Sequence, residues 1–139
     1  MAMGNRLLVL RFAADPLRLR GVRSRLQALG TRLGCNNKRV AELIIAVNEA
    51  CMNIMQHAYK GDTSGRIVLE VHRDADTLEV LLTDFAAPVE HRKIAPRALH
   101  DLRPGGLGTH FIRASVDECS YGHLDDQSGN FVRMRKRIN

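Results

Sequence analysis

At 139 residues, 45% hydrophobic and 26% charged, the chain has the size and make-up of a single globular domain, with one core able to bury roughly two thirds of its unfolded surface. No apolar run approaches the ~18 residues of a membrane span, and Leu7–Leu10 is too short for a signal-peptide core, so a cytoplasmic protein without membrane contact is expected. The net charge of +6 suggests nucleic acid, but residues 1–40 hold nine basic residues against one acid (Asp15) while residues 41–139 hold twelve against fourteen, and 4% aromatics without Trp leave few stacking platforms; nucleic-acid binding is therefore not expected.

Arg6–Phe12 reads as a strand. Asp15-Pro16 then supplies an N-cap and a first-turn proline for a helix carrying Leu17, Leu19, Val22, Leu26, Leu29 and Leu33 among Arg18, Arg20, Arg23, Arg25 and Arg32. Gly34 ends it, and Asn36-Asn37 caps a second helix to about Tyr59. Gly61–Gly65 is a loop, and strands Ile67–Val71 and Leu78–Leu82 form a hairpin about Asp74-Ala75-Asp76. Residues 86–108 lose all periodicity and hold three of the four prolines, which suits a functional lid. A short helix from Leu107 to Val116 follows, then strands Glu118–His123 and Phe131–Ile138. The order β-α-α-β-β-lid-α-β-β predicts an α+β fold, with helices on one face of a mixed or antiparallel sheet. Cys35, Cys51 and Cys119 are widely spaced and form no C-x-x-C pair, so they read as reduced thiols rather than disulfides or zinc ligands.

On a helical wheel, Val40, Leu43, Ile44, Val47, Cys51, Ile54 and Ala58 share one side of the second helix, and Ile45, Met52 and Met55 widen it. Glu42, Glu49, Asn53, Gln56 and Lys60 make a narrow polar stripe, with Glu49 and Asn53 one turn apart. A carboxylate and a carboxamide facing a groove could position a nucleophile and hold a hard cation through oxygen; the spacing equally suits a solvated stripe. Asp84 closes a strand, where an acid can accept a hydrogen bond from an adenine amino group or simply begin a loop. Gly105-Gly106-Leu107-Gly108-Thr109 opens a helix, where free N–H groups and close backbone approach suit a phosphate. The run matches neither the P-loop nor the Rossmann fingerprint.

Taken in order, E-A-x-x-N-x-x-x-H-A-Y (Glu49 to Tyr59), Asp84 after a hairpin, and G-G-L-G-x-x-x-I-R-x-x-x-D-E-x-x-Y (Gly105 to Tyr121) resemble the GHKL ATP-binding superfamily and, within it, the bacterial anti-sigma factor/serine-protein kinases. The resemblance runs from Arg6 to Ile138. It implies a two-layer sandwich of the Bergerat type over residues 1–139, with residues 86–108 as the ATP lid and residues 1–34 as a dimer or partner surface. It further implies that Glu49 is the general base toward a serine hydroxyl, that Asn53 ligates the Mg²⁺ bridging the ATP phosphates, and that Asp84 recognises the adenine amino group. Gly105, Gly106, Leu107, Gly108 and Thr109 would cradle phosphates, and Arg103, by position and charge, is a candidate γ-phosphate contact. The implied partners are a STAS-type anti-anti-sigma factor as substrate, a sigma factor to sequester, and a second copy of the chain. Arg23 falls where the family uses an arginine in partner contact, and Arg18 and Arg20 extend that basic surface.

One position departs from the family pattern: its adenine-site motif is D-x-G, and here it reads Asp84-Phe85-Ala86. If the backbone needs a positive φ at that point, Ala86 should weaken ATP binding. Two functions therefore compete: an ATP-dependent serine kinase that also captures a regulator, and a partner-switching module of the same fold with weak or no kinase activity. A sensor histidine kinase domain is disfavoured, since no phosphoacceptor helix accompanies the motifs.

Overall fold

The computed structural model describes residues 5–87, 112–126 and 128–139. In chain order these form β1 (Asn5–Ala13), α1 (Leu19–Leu33), α2 (Asn37–Asn53), β2 (Arg66–Asp74), β3 (Thr77–Asp84), β4 (Glu118–His123) and β5 (Asn130–Arg137). A 3-10 turn at Pro16–Arg18 leads into α1, a π-helical turn at Ile54–Ala58 continues α2, and residues 112–115 are helical. The cap residues act as their chemistry predicts. Asp15 accepts a hydrogen bond from the Leu17 N–H at 3.0 Å, and Asn36 accepts one from the Arg39 N–H at 3.0 Å.

The five strands form one sheet in the order β1-β2-β3-β5-β4. Of the mixed and antiparallel options, the described strands take the second, with all four neighbouring pairs antiparallel. Connection length explains this. Two helices separate β1 from β2, so the chain traverses the layer twice and re-enters the sheet pointing the other way, whereas a single crossover helix would give a parallel pair. Hairpins impose the same sense on β2–β3, where Asp74 pairs with Thr77 across Ala75-Asp76, and on β4–β5. β5 lies between β3 and β4, so those two strands are not neighbours.

Period-2 alternation assigns one sheet face to the core. Ile67, Leu69 and Val71 of β2, Leu78, Val80 and Leu82 of β3, and Val132 and Met134 of β5 are buried there with Leu19, Val22, Leu26 and Leu29 of α1. From α2 come Val40, Leu43, Ala46, Val47, Ala50 and Cys51. Each large aliphatic buried in this way contributes about 1.5–3 kcal/mol. The two helices approach closely at Gly30, where an added Cβ would stand 2.8 Å from a Val40 methyl. An ion pair crosses the layers: the buried Lys136 of β5 reaches the half-buried Glu42 of α2 at 3.6 Å. The opposite sheet face is mixed: Val68, Leu81 and Phe131 lie there half-buried, and Glu79 is buried beneath Arg133 at 3.4 Å and Arg135 at 3.3 Å.

The wheel needs one correction. Ile45, counted as widening the apolar face, is 49% exposed, while Ala46 and Ala50 lie at the helix–sheet contact. Small side chains let the α2 backbone approach the sheet, and that turns the bulkier Ile45 outward.

Candidate functional site

A cleft of about 370 Å³, counting space open to solvent, lies where the C-terminal half of α2 meets the ends of β3, β4 and β5. Its helical wall is one stripe, Ala50, Asn53, Ile54, His57 and Ala58, spaced at three and four residues. Asp84 closes β3 at its floor, and Tyr121, Asn130, Phe131 and Val132 supply the sheet side. The π turn begins immediately after Asn53. Wider turns of this kind shift the face that later residues present and recur at functional sites.

The structure separates two residues that share one polar stripe of the helical wheel. Asn53 is only 4% exposed, lines the cleft, and its Nδ2 has no hydrogen-bond partner among the described residues. Glu49, one turn earlier, is half-buried and lies outside the cleft lining. A buried carboxamide with an idle donor costs about 1–3 kcal/mol unless a ligand completes it. That is an incentive for a polar ligand at this position.

Asp84 is held from several directions. Its Oδ1 accepts from Asn130 Nδ2 at 2.9 Å and from the Ala86 N–H at 3.0 Å. Burial raises its pKa above the ordinary carboxylate range, while hydrogen bonds from the Asn130 side chain, the Ala86 N–H and the Asn130 backbone N–H oppose the rise. The Ala86 departure therefore has a definite outcome. Among described non-glycine residues only Lys60 and Ala75 have positive φ, so Ala86 lies outside the left-handed region and its N–H is already engaged with Asp84. Tyr59 braces the same corner: its hydroxyl donates to the Arg66 carbonyl at 2.6 Å and accepts from the Phe85 N–H at 2.8 Å. Gly129 permits the β4–β5 turn to lie against the end of β3, because an added Cβ would collide with the Asp84 carbonyl oxygen.

Of the other residues singled out in the sequence, Arg18, Arg20 and Arg23 are exposed, with Arg18 in the 3-10 turn and the other two on α1. Arg23 is also tied to α2, its Nη1 donating to Asn48 Oδ1 at 2.8 Å. Arg103 and Gly105–Thr109 lie outside the described residues, as does the lid from Pro88 onward. Sequence reasoning missed Asn130, His123 and the bracing role of Tyr59. Asn130 follows a Gly after a run of turn residues, so it reads as part of a loop; only the pairing of β3 with β5 brings it to Asp84.

The lining of the cleft combines apolar walls with a few buried polar groups. Ala50, Ile54, Ala58 and Val132 offer apolar walls for a planar ring, and the buried Asp84 can accept a hydrogen bond from an amino substituent. The Asn53 carboxamide has donor and acceptor atoms for phosphate or a hard cation. Among the described residues no three His, Cys, Asp or Glu side chains cluster to hold a metal alone.

Comparison with known proteins gives a consistent result. The profile of the family described as histidine kinase-like ATPase domain matches residues 12–136. The serine-protein kinase RsbW of Bacillus subtilis is 31% identical over 126 residues, which is 85% of this chain and 77% of that protein. Its namesake in Listeria innocua is 33% identical over 122 residues, 82% of this chain and 76% of that protein. Among solved structures, the SiaB–SiaC complex of Pseudomonas aeruginosa matches with a TM-score of 0.70 at 15% identity, covering 96% of this chain and 91% of that one. The RsbU and RsbW domains of a Mycobacterium tuberculosis protein match with a TM-score of 0.68 at 18% identity, over 94% of this chain and 31% of that larger one. These two likenesses speak for the fold.

Proposed function

The chain belongs to the histidine kinase-like ATPase domain family and to the serine-protein kinase group within it, and we propose that it is an anti-sigma regulator that phosphorylates a serine of a STAS-type partner with ATP and captures a sigma factor in alternation. The observation that carries this reading is the buried, unsatisfied Asn53 carboxamide sharing a cleft with the buried Asp84. Asp84 would accept a hydrogen bond from the adenine amino group; the idle Asn53 Nδ2 would donate to a phosphate oxygen, and its Oδ1 would hold Mg²⁺, whose charge offsets that of the triphosphate. Glu49, on the half-buried face next to the cleft, would take the proton of the partner's serine hydroxyl as its oxygen bonds to the γ-phosphorus and the bond to the β-phosphate oxygen breaks, leaving phosphoserine and ADP. Gly105–Thr109 and Arg103 would act on the phosphates. Exposed Arg18, Arg20 and Arg23 would meet acidic surface on the partner or on a second copy of the chain. A cytoplasmic site of action goes with these partners, and no helix among the described residues is long and apolar enough to cross a membrane.

The test is incubation of the purified protein with Mg-ATP and the STAS protein, read by phosphoserine mass spectrometry. Phosphoserine is expected with the wild type, a loss of at least 100-fold in rate with Glu49→Gln, and no detectable Mg-dependent ATP binding with Asn53→Ala. Tight partner binding without any phosphoserine would instead make the protein a capture module.

A further inference from the structure

We propose that Asn130, oriented by His123, is a positioning residue that sets adenine selectivity by fixing the carboxylate of Asp84. This rests on the nucleotide-binding reading above and extends it to residues outside the site motifs. Asn130 is 5% exposed, and its position at the start of β5 is paired directly with Asp84 at the end of β3. Its side-chain Nδ2 donates to Asp84 Oδ1 at 2.9 Å and to the Ala87 carbonyl at 3.2 Å. Two oxygen acceptors on that side fix the orientation of the amide, so Oδ1 is the atom turned toward His123 Nδ1 at 3.0 Å. Facing that oxygen, Nδ1 serves as the donor in the tautomer that carries a proton there. The chain of bonds runs from His123 to Asn130 to Asp84, across all three strands that close this end of the sheet.

This arrangement bears on which base is accepted. Adenine presents an amino donor at its sixth position and guanine presents a carbonyl acceptor there. A carboxylate locked as an acceptor therefore rewards the first base and repels the second. A carboxylate free to rotate would lose that contrast. The titratable groups around Asn130 are Asp84 on β3, His123 and Tyr121 on β4, and His57 on the π turn.

Mg-ATP and Mg-GTP binding to the full chain by calorimetry at pH 6, 7 and 8 tests the proposal. Asn130→Ala is expected to weaken ATP about tenfold or more while leaving GTP within about threefold, so that the ratio between them collapses. A structural lesion would lower both alike, and equal losses would overturn the proposal. Asn130→Asp, nearly isosteric, sets two carboxylates at hydrogen-bond distance; they hold one proton between them and lose it as pH rises. Its ATP affinity relative to wild type at the same pH should fall at least tenfold from pH 6 to pH 8, and a constant ratio would refute the coupling. This variant decides the matter if the alanine protein does not fold. Wild type binding no nucleotide at any pH would remove the functional reading itself, a result distinct from either.

Discussion

Asp84 sits where burial and hydrogen bonding pull in opposite directions, and burial prevails, since its pKa is raised. A carboxylate whose folded pKa lies above its unfolded value binds its proton more tightly in the native state, so ionising it costs stability. That cost is absent below the ordinary carboxylate range, grows as pH climbs to the raised value, and stays constant above it. Asp84→Asn keeps an oxygen for the Ala86 and Asn130 donors and removes the buried charge. The nucleotide-free variant should therefore melt above wild type at pH 7 and level with it near pH 4, by calorimetry at the two pH values. It should also lose ATP binding, because an amide in the same place no longer concentrates negative charge on the adenine amino group. Stability gained where binding is lost marks a residue retained for its ligand.

The tie between α2 and β5 shows how one element holds another in register. Lys136 is almost wholly buried while Glu42 is partly open to water, so the cation bears most of the desolvation. Glu42→Gln strands that charge and should cost about 3 kcal/mol in urea unfolding; Lys136→Met removes it and should be neutral or mildly stabilising. At this scale much was legible beforehand. Asp15 and Asn36 announced the helix starts, and the alternation in β2 and β3 announced a one-sided core. The orientation of α2 was harder to read. Alanine adds little to a hydrophobic wheel, so Ile45 outweighs Ala46 and Ala50 there and widens the apparent buried face on that side. Periodicity alone leaves Asn53 between a groove and a solvated stripe; its spacing to Ala50, Ile54 and His57 is that of the cleft wall.

For the molecule as a whole, the basic excess of the first forty residues runs from β1 through the 3-10 turn and α1 to the start of α2, with Arg18, Arg20 and Arg23 exposed. Association with an acidic partner should therefore slow and weaken as salt rises, and Arg23→Glu should lower the association rate about tenfold at low ionic strength, by stopped-flow fluorescence. ATP binding in that variant should stay within about twofold, since Arg23 contacts α2 at Asn48 rather than in the cleft. Sheet order, by contrast, could not be read from local patterns, because nothing in a strand's own composition says that it will slot between two earlier ones. That insertion has a consequence for synthesis. β5 is translated after both strands that flank it, and it carries Asn130. A nascent chain paused before residue 130 exposes the bare edge of β3, with Asp84 lacking its amide clamp. Until β5 leaves the ribosome, the emerging chain has helices and a hairpin but no finished nucleotide site, and chaperones have an open strand edge to shield.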